Sequence, residues 1–450
     1  TNPARLATPS RVPAVSNKFT NKNAITTLTI ATSRAPRISN CINVGVISGG
    51  AATKPLNSTS PIKSAIIVVL RIPIIIAFQE VSQYKDTYAG EIGNVALTAH
   101  LLKPENSKGK TAVVFMHPTG GGSYLPMLNS LARHGIDTVW CDSRYRGTDS
   151  ALIMEKVLID LGNCIKHLKD VHGYEKIVLG GWSGGGSLSL FYQSQAEKPS
   201  ITATPAGDLI DIVSEKFIPA DAVMLIAAHE SRHRTFTEWL DGSVIDENNP
   251  ELRQIDLDIY DANNPNQPKY TSNFIEIYRD AQISRNRKIT NWVLDKLHEF
   301  KKKGYENREY GFVVHRTMAD PKWLDPSIDP NGRKPNWCFL GDPEVVNNSP
   351  IGLARYCSLR SWLSQWSYDH ARGDGLSCAK DITVPCLVIG NTDDDGITPS
   401  HTNNLFEAIG HSNKRLDWIQ GANHYYFGQP EKSNESAQTC KAWLDEQRLI

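Results

Sequence analysis

A serine in a glycine-rich turn has the clearest chemical potential in this sequence. Ser183 lies in the segment Gly181-Trp-Ser-Gly-Gly185, after the apolar run Ile177–Leu179 and before a helical stretch. A nucleophilic serine must project from a strand end on a sharp turn, whose strained backbone requires small residues two positions to either side. Gly181 and Gly185 meet that requirement. At a helix start, the N–H of Gly184 would also lie where an oxyanion develops. The pattern predicts Ser183 as the nucleophile; an incidental serine in a glycine-rich turn is the alternative.

An acidic residue and a histidine follow in the order that such a serine requires. Three aspartates, residues 393–395, come after the apolar run Leu387–Ile389. His424 lies in the small, polar segment Gly421–Tyr426, between the next strand and the last helix. A histidine placed there can serve as general base for Ser183, and an aspartate can orient its imidazole. We therefore predict a Ser–Asp–His triad; a histidine in an ordinary surface loop is the alternative.

Residues of about 82–228 and 381–450 resemble the α/β-hydrolase fold, with a cap inserted after the sixth strand as in many esterases of that superfamily. Ser183, His424, the aspartate run and the loop that begins at His117 carry the resemblance. It implies an α/β fold with a mostly parallel sheet, helices on both faces and a large, mainly helical or irregular cap.

The resemblance also ranks the three aspartates. Family sequences often place the acid four residues before a helix-opening proline, which here selects Asp395 before Pro399. They also often place it three residues after the glycine that ends the strand, which selects Asp393. We take Asp395 as the triad acid, Asp393 as the alternative and Asp394 as the third choice. The carboxylates not used can cap the helix that follows.

The loop His117-Pro-Thr-Gly-Gly-Gly-Ser123 resembles the oxyanion loops of esterases and lipases. Pro118 has no N–H, so the second oxyanion donor is predicted to be the N–H of Thr119, with Gly120 as the alternative. His117 is expected to brace this loop rather than act as a base.

Five residues are candidates for lining a substrate pocket. His229 and Glu230 follow the sixth predicted strand at the catalytic edge of the sheet, although a structural role is equally compatible with that position. The full set is His117, Trp182, His229, Glu230 and Tyr425.

Short apolar runs alternate with amphipathic stretches over most of the chain, which predicts a parallel sheet covered on both faces. The predicted strands are residues 94–102, 111–116, 136–141, 176–179, 222–228, 385–389 and 415–419. The predicted helices are residues 124–134, 150–171, 187–195, 399–409 and 431–449.

Residues 229–380 interrupt this alternation and are too long for a loop, so we predict a cap over the active site. An extra structural subdomain is the alternative. The segment is rich in charge, Asn, Pro and aromatic residues. Its six tryptophans could line an apolar pocket or form the cap's own core.

Residues 1–81 differ from the remainder. Residues 1–79 contain nine Lys or Arg and no Asp or Glu, a composition typical of a disordered, non-native or transit-like leader. The apolar segment 65–78 is too short for a membrane span and is interrupted by Arg71 and Pro73, so a strand or an interfacial segment is favoured. A cytoplasmic location is expected, or an organellar or exported one if the leader is a targeting segment.

Global composition excludes several classes. The formal net charge of zero gives no reason to expect binding to nucleic acid or an anionic membrane. The eight cysteines are scattered, without a metal-binding spacing or a disulfide framework, and are expected to be core residues. No metal or cofactor is expected.

These features predict a cofactor-independent serine hydrolase that cleaves a carboxylic ester, thioester, lactone or amide through an acyl-enzyme. The expected partner is a small acyl substrate. An acyltransferase with the same triad, or a slow ligand-binding protein on the same fold, is the alternative. Aspartate-nucleophile chemistry is disfavoured because a serine stands at position 183.

Overall fold

The computed structural model describes residues 67–81 and 92–450, and the structural statements below concern these residues. The strands are β1 Val69–Gln79, β2 Asn94–Pro104, β3 Thr111–Phe115, β4 Asp137–Cys141, β5 Lys176–Ser183, β6 Ala222–Ala228, β7 Val244–Asp246, β8 Asn249–Arg253, β9 Gly311–Val313, β10 Tyr356–Ser358, β11 Cys386–Asn391 and β12 Lys414–Ile419. The helices are α1 Pro126–Arg133, α2 Met154–Asp170, α3 Gly184–Glu197, α4 Ile212–Glu215, α5 Arg232–Trp239, α6 Ser272–Lys302, α7 Pro343–Asn348, α8 Leu359–Gln365, α9 Gly375–Ala379, α10 Pro399–Ala408 and α11 Pro430–Glu446, with 3₁₀ turns at Ile255–Leu257 and Pro321–Trp323.

Eight strands form one sheet in the order β1-β2-β4-β3-β5-β6-β11-β12. Strand β2 runs antiparallel to both of its neighbours, and the strands from β4 to β12 in this order run parallel. This is the strand order of the α/β-hydrolase fold, so the predicted fold class is confirmed. The predicted strands and helices of the core are also confirmed, with boundaries that differ by a few residues.

Both faces of the sheet are covered, which explains the continuous apolar runs of the central strands. Val114 of β3 packs with the side that carries α2 and α3, whereas Val113 and Phe115 pack with the side that carries α1 and α11. Each central strand therefore contributes to two hydrophobic cores. The carboxyl ends of β5, β6 and β11 meet at one edge of the sheet, where ligands bind in open α/β sheets.

The segment between β6 and α9 forms a separate layer with its own core. Helix α6 is its longest element, and it begins where the Thr271 side chain accepts a hydrogen bond from the Phe274 N–H (3.2 Å). Trp362 and Trp366 are buried with residues of α5 and α6 in the core of this layer. Trp239 and Trp323 are buried in a second cluster. Four of the six tryptophans therefore serve packing within the layer.

The predicted boundary at residue 380 lies slightly too far along the chain. Cys378 and Ala379 of α9 belong to the hydrophobic core of the sheet, beside residues of α3. The cap proposed from the sequence therefore ends before α9.

The predicted leader also ends too late. Strand β1 is the edge strand of the sheet and pairs with β2 over its whole length, from Val69 with Pro104 to Gln79 with Asn94. Ile74 and Ile76 point into the core, and Pro73 is tolerated because an edge strand leaves one row of N–H groups unpaired. The leader was predicted to include these residues because residues 1–79 contain no Asp or Glu, and this acid-free stretch includes strand β1. The transit-like character assigned to the earlier residues concerns residues 1–66, which lie outside the described ranges.

Over residues 67–81 and 92–450, no helix has the length and apolarity needed to cross a membrane. The cysteines in these ranges are buried and free, as expected for core residues.

Two neighbouring isoleucines test whether β1 belongs to the folded core. Ile76 is 2% exposed and Ile75 is 64% exposed. We expect Ile76→Ala to lower the free energy of unfolding by about 2–4 kcal/mol, because it leaves a cavity under the sheet. Ile75→Ala is the matched control and should change it by less than about 0.5 kcal/mol. Urea unfolding of both variants measures the difference, and equally small effects would contradict the placement of β1.

Candidate active site

Ser183 lies at the junction of β5 and α3 with a backbone conformation that few residues adopt. Its φ is 52° and its ψ is −125°. A Cβ atom at Gly181 would lie 2.6 Å from the Cα of Gly186, and one at Gly185 would lie 2.5 Å from the carbonyl oxygen of Met116. The turn can therefore form only with glycine at these positions. It holds the Ser183 side chain at the carboxyl edge of the sheet, as the sequence pattern predicts.

His424 connects Ser183 to an aspartate. Its Nε2 lies 3.2 Å from Ser183 Oγ, and its Nδ1 lies 3.0 Å from Asp394 Oδ2. Because an ionised carboxylate can only accept, we assign the proton to Nδ1, which leaves Nε2 free to accept the hydroxyl proton of Ser183. His424 and Asp394 are both buried. The structure thus brings together the predicted serine and histidine.

The carboxylate that contacts His424 is that of Asp394, whereas neither the predicted choice, Asp395, nor the alternative, Asp393, is hydrogen-bonded to this histidine. Asp394 Oδ1 accepts hydrogen bonds from the backbone N–H groups of Gly396 (2.8 Å) and Ile397 (2.6 Å). Those two bonds fix the carboxylate and leave Oδ2 for His424. Asp394 therefore closes the turn that precedes α10 and contacts the imidazole at the same time, whereas none of the three aspartates caps the helix itself.

The other two aspartates have different surroundings. Asp395 lies against the cap: its carbonyl accepts from the Phe339 N–H (2.9 Å), and its carboxyl pKa is raised by burial and by the neighbouring charge of Asp394. Asp393 Oδ1 accepts from the Thr392 hydroxyl (3.2 Å).

The length of β11 explains the error. The strand continues past Gly390 to Asn391, whose side-chain amide donates to the Asn423 carbonyl (2.9 Å). Counted from Asn391, the acid is the third residue after the strand. Counted from the glycine, Gly390, the spacing selects Asp393; counted from the observed strand end, Asn391, it selects Asp394, the residue that contacts His424.

The loop after β3 differs from the predicted oxyanion hole. The Thr119 N–H donates to His117 Nδ1 (3.3 Å), and the Gly120 N–H donates to the His117 carbonyl (2.8 Å). Both predicted donors are thus engaged within the loop. Gly121 extends the pattern, since its N–H donates to Asp142 Oδ1 (2.7 Å). Gly184, the other predicted donor, is the first residue of α3.

The His117 imidazole takes the place next to Gly184. A Cβ atom at Gly184 would lie 2.6 Å from His117 Nε2. His117 Nδ1 accepts from Thr119, so we assign the ring proton to Nε2, on the side of Gly184. Burial, and to a lesser extent the charges of Arg232 and His424, lower the pKa of His117 to about 3. The ring is therefore a neutral donor at physiological pH.

Three of the other predicted pocket residues lie beside His424 or Gly184, and one does not. The Trp182 ring lies 4.9 Å from that of His424 and 5.2 Å from that of Tyr425, centroid to centroid. His229 Nε2 would lie 3.2 Å from a Cβ at Gly184. Glu230 turns away, since its carboxylate accepts from Asn404 of α10 (3.0 Å).

Several residues near the site were not predicted. Asn331 Nδ2 donates to the Asp394 carbonyl (2.9 Å), and the Phe339 ring lies 5.9 Å from the His424 ring. Both belong to an irregular stretch of the cap, where no periodicity indicates which residues point inward. Arg232, which follows the predicted pair His229-Glu230, acts electrostatically on the histidines of the site. Across the part of the chain that the structure describes, no group of three or more His, Cys, Asp or Glu side chains is arranged to hold a metal ion.

Neither a protein-family profile nor a curated protein matches the chain. Solved structures do match it at low identity. Est1E from Butyrivibrio proteoclasticus is 14% identical, with 79% of this chain and 96% of that chain covered and a TM-score of 0.40. The monoacylglycerol lipase of Paleococcus ferrophilus is 15% identical (77% and 98% covered, TM-score 0.39). A thermostable carboxyl esterase from Bacillus coagulans is 11% identical (83% and 98% covered, TM-score 0.43). The fold class of this chain rests on its own strand order.

Substitution of each aspartate tests the assignment of Asp394. We expect Asp394→Asn to slow fluorophosphonate labelling of Ser183 on the order of 10³- to 10⁴-fold, because an amide favours the wrong tautomer of His424. Asp393→Asn and Asp395→Asn are the matched controls and should stay within roughly threefold of the parent protein, since neither carboxylate contacts His424. Intact-mass kinetics measure the labelling rate. A slow Asp395→Asn with a normal Asp394→Asn would restore the assignment made from the sequence.

Proposed function

We propose that this protein is a cofactor-independent serine hydrolase that cleaves carboxylic esters through an acyl-enzyme. The observation that carries the proposal is the hydrogen-bonded chain from Ser183 through His424 to Asp394, with Ser183 on a turn of positive φ. A structural serine needs neither a strained turn nor a buried base. Strained backbone of this kind persists mainly where function requires it.

The proposed reaction follows from the geometry. Ser183 Oγ attacks the ester carbonyl carbon while His424 Nε2 takes the hydroxyl proton, and a tetrahedral oxyanion forms. The imidazolium then gives that proton to the leaving alkoxide, so that an alcohol departs and the acyl group stays on Ser183. Water attacks next, with His424 again as base, and releases the carboxylic acid and the free serine. Asp394 remains ionised and stabilises the imidazolium.

Two donors next to each other are proposed to hold the oxyanion. One is the N–H of Gly184, at the positive end of α3. The other is the Nε2–H of His117, because the imidazole lies beside Gly184 while the N–H groups of Thr119 and Gly120 are engaged. A neutral imidazole can act as an electrophilic donor without adding a charge to the site.

Aromatic rings support ester chemistry by shielding the base. The rings of Trp182, Tyr425 and Phe339 each lie within 6 Å of the His424 ring, centroid to centroid. Shielding of this kind lowers the local dielectric and strengthens the interactions that stabilise the oxyanion. Phe339 comes from the cap, so the cap contributes directly to the proposed site.

The nucleophile is tested by labelling and turnover together. We expect a fluorophosphonate to form an adduct on Ser183 and Ser183→Ala to lower ester hydrolysis by at least about 10⁴-fold. Peptide mass spectrometry locates the adduct, and an ester panel measures turnover. Ser189 is a buried serine of α3, the helix that follows Ser183. Ser189→Ala is the control and should retain both fluorophosphonate labelling and ester hydrolysis.

The outcomes separate the alternatives. A folded protein whose Ser183 is not labelled would overturn the nucleophile. Labelling without turnover of any ester, thioester, lactone or amide would favour a slow ligand-binding protein. Acyl transfer that occurs only with an added alcohol or amine would favour an acyltransferase.

His117 is tested by comparing three variants. We expect His117→Ala to reduce kcat by roughly 10²- to 10³-fold with little change in KM, because a donor used mainly in the transition state is lost. His117→Gln should recover part of the loss, since its amide N–H can reach toward the same position. Thr119→Val removes only the hydroxyl beside Nδ1 and should stay within roughly tenfold of the parent enzyme. If kcat of His117→Ala falls by less than tenfold, the Thr119 N–H is the second oxyanion donor instead. That variant removes the imidazole to which the Thr119 N–H donates and so frees this N–H.

A further inference from the structure

Arg232 is a buried arginine at the start of the cap whose charge is unmatched. It is the first residue of α5, which is separated from the end of β6 by three residues, and it is 3% exposed. Its Nη2 donates to Gln365 Oε1 (3.0 Å), and its guanidinium carbon lies 4.4 Å from the centre of the Trp366 ring. Both contacts come from the end of α8, so the guanidinium is held between the two helices.

No carboxylate oxygen of the described residues lies within 4.0 Å of this guanidinium. Burial lowers the pKa of Arg232 to about 10, and Asp149 opposes that shift only from a greater distance. Asp149 Oδ2 is engaged with the Ala354 N–H (3.2 Å). Arg316, which is similarly buried, is instead paired with Asp241 (2.5 Å) and Asp258 (2.9 Å). A buried cation without a counter-ion is unfavourable unless something else supplies the negative charge.

Arg232, its neighbours on α5 and the tryptophan that its guanidinium contacts carry unsatisfied polar atoms. Arg232 Nε, Ser231 Oγ, Thr235 Oγ1 and Trp366 Nε1 are all buried and have no hydrogen-bond partner among the described residues. Ser231 precedes α5 but its side chain does not cap the helix, so the positive helix end is open as well. Native proteins rarely leave such groups unpaired. Unpaired polar groups on residues that adjoin or contact an unmatched cation point to a site for a polar, negatively charged ligand.

This cation lies close to the proposed reaction centre. The positive charge of Arg232 lowers the pKa of both His117 and His229, in addition to the larger effect of burial. Those two imidazoles flank Gly184, the residue after the proposed nucleophile. A substrate that binds Arg232 must therefore extend from Ser183 past these imidazoles.

The charge of the site matches a monoanion. His117 and His229 are neutral at physiological pH because burial lowers the pKa of each. His233, one residue after Arg232, is neutral for the same reason, with a pKa of about 4. The single positive charge of the guanidinium neutralises the single negative charge of a carboxylate. A phosphate monoester dianion would keep one negative charge without a partner.

We propose that Arg232 binds a free carboxylate of the substrate, so that the protein acts on esters that carry a second, ionised carboxyl group. This inference rests on the proposed hydrolase function and specifies its substrate class. The guanidinium supplies the ion pair, and Ser231, Thr235 and the Trp366 N–H supply further hydrogen bonds.

Matched substrates test the inference in the parent protein. Nitrophenyl half-esters of four- to six-carbon dicarboxylic acids are compared with their methyl-capped diesters, and carboxyphenyl esters with phenyl esters. The first pair carries the carboxylate on the acyl side and the second on the alcohol side. We expect one of the two pairs to show a kcat/KM ratio on the order of 10- to 100-fold in favour of the anion, and a phosphate-bearing analogue to gain less. A ratio near one in both pairs, with measurable hydrolysis of the neutral esters, would overturn the inference and leave the proposed function intact.

Variants then assign the effect to Arg232. Arg232→Gln should reduce the preference for the anionic ester to near one; because the preference is a ratio of two kcat/KM values, a change common to both esters cancels. Arg232→Lys should keep part of the preference. Arg234→Gln, on the same helix but paired with Asp374 (3.2 Å), is the control and should keep all of it. An undiminished preference of Arg232→Gln for the anionic ester would overturn the inference. If that variant does not fold, the kcat/KM ratios of the parent protein and of Arg232→Lys decide.

Binding separates failure of the inference from failure of the proposed function. Calorimetry with Ser183→Ala and a half-ester measures recognition without catalysis. We expect the affinity to exceed that for the methyl-capped diester by about tenfold and this advantage to be lost in Ser183→Ala/Arg232→Gln. Binding of this kind without any hydrolysis in the parent protein would overturn the hydrolase and keep the carboxylate site. No advantage for the anion would overturn the site.

Discussion

The backbone of Ser183 is the constraint on which the rest of the site depends. With φ at 52°, the chain reverses so sharply between β5 and α3 that the helix start is pressed against two neighbouring strands. A Cβ atom at Gly185 would strike the Met116 carbonyl, and one at Gly186 would overlap the Ala228 side chain. The same close approach brings His117, two residues after β3, and His229, the residue after β6, beside Gly184. One strained residue thus determines which side chains can surround the proposed reaction centre.

This dependence explains which parts of the site could be predicted from the sequence. Gly181, Ser183 and Gly185 are close in the sequence and their requirement is local, so the pattern alone identifies the turn. His424 could be predicted because it follows the last strand of a regular alternation. Asp394 could not, because the choice among adjacent aspartates depends on whether β11 ends at Gly390 or Asn391, and strand ends are the least predictable part of a strand. The sequence position of Thr119 fits that of an oxyanion donor, but its N–H donates to His117 in the structure, a contact that the sequence does not indicate.

Other features depend on contacts between distant segments and leave little trace in the sequence. The apolar run of β1 favours a strand or an interfacial segment, but its place at the edge of the sheet becomes visible only through its pairing with β2. The cap is similar: Asn331 and Phe339 reach the acid loop from a stretch without periodicity. The Gly332 N–H adds a third bond, to the Thr392 carbonyl (2.8 Å), so the cap fixes the loop that carries Asp394. A segment attached in this way supports the orientation of Asp394, and large displacement of residues 331–339 would disturb it.

The electrostatic design of the site follows from the same burial. Three histidines, His117, His229 and His233, are enclosed deeply enough that their pKa values fall and their rings stay neutral. Neutral rings do not compete with Arg232 for an anion, and they do not repel the imidazolium that would form at His424 during the proposed reaction. If these rings were protonated, each would oppose that imidazolium across a medium of low dielectric constant. Burial of the histidines therefore serves two ends at once: it leaves Arg232 as the cation available to a substrate carboxylate, and it allows positive charge to develop on His424 when Ser183 loses its proton.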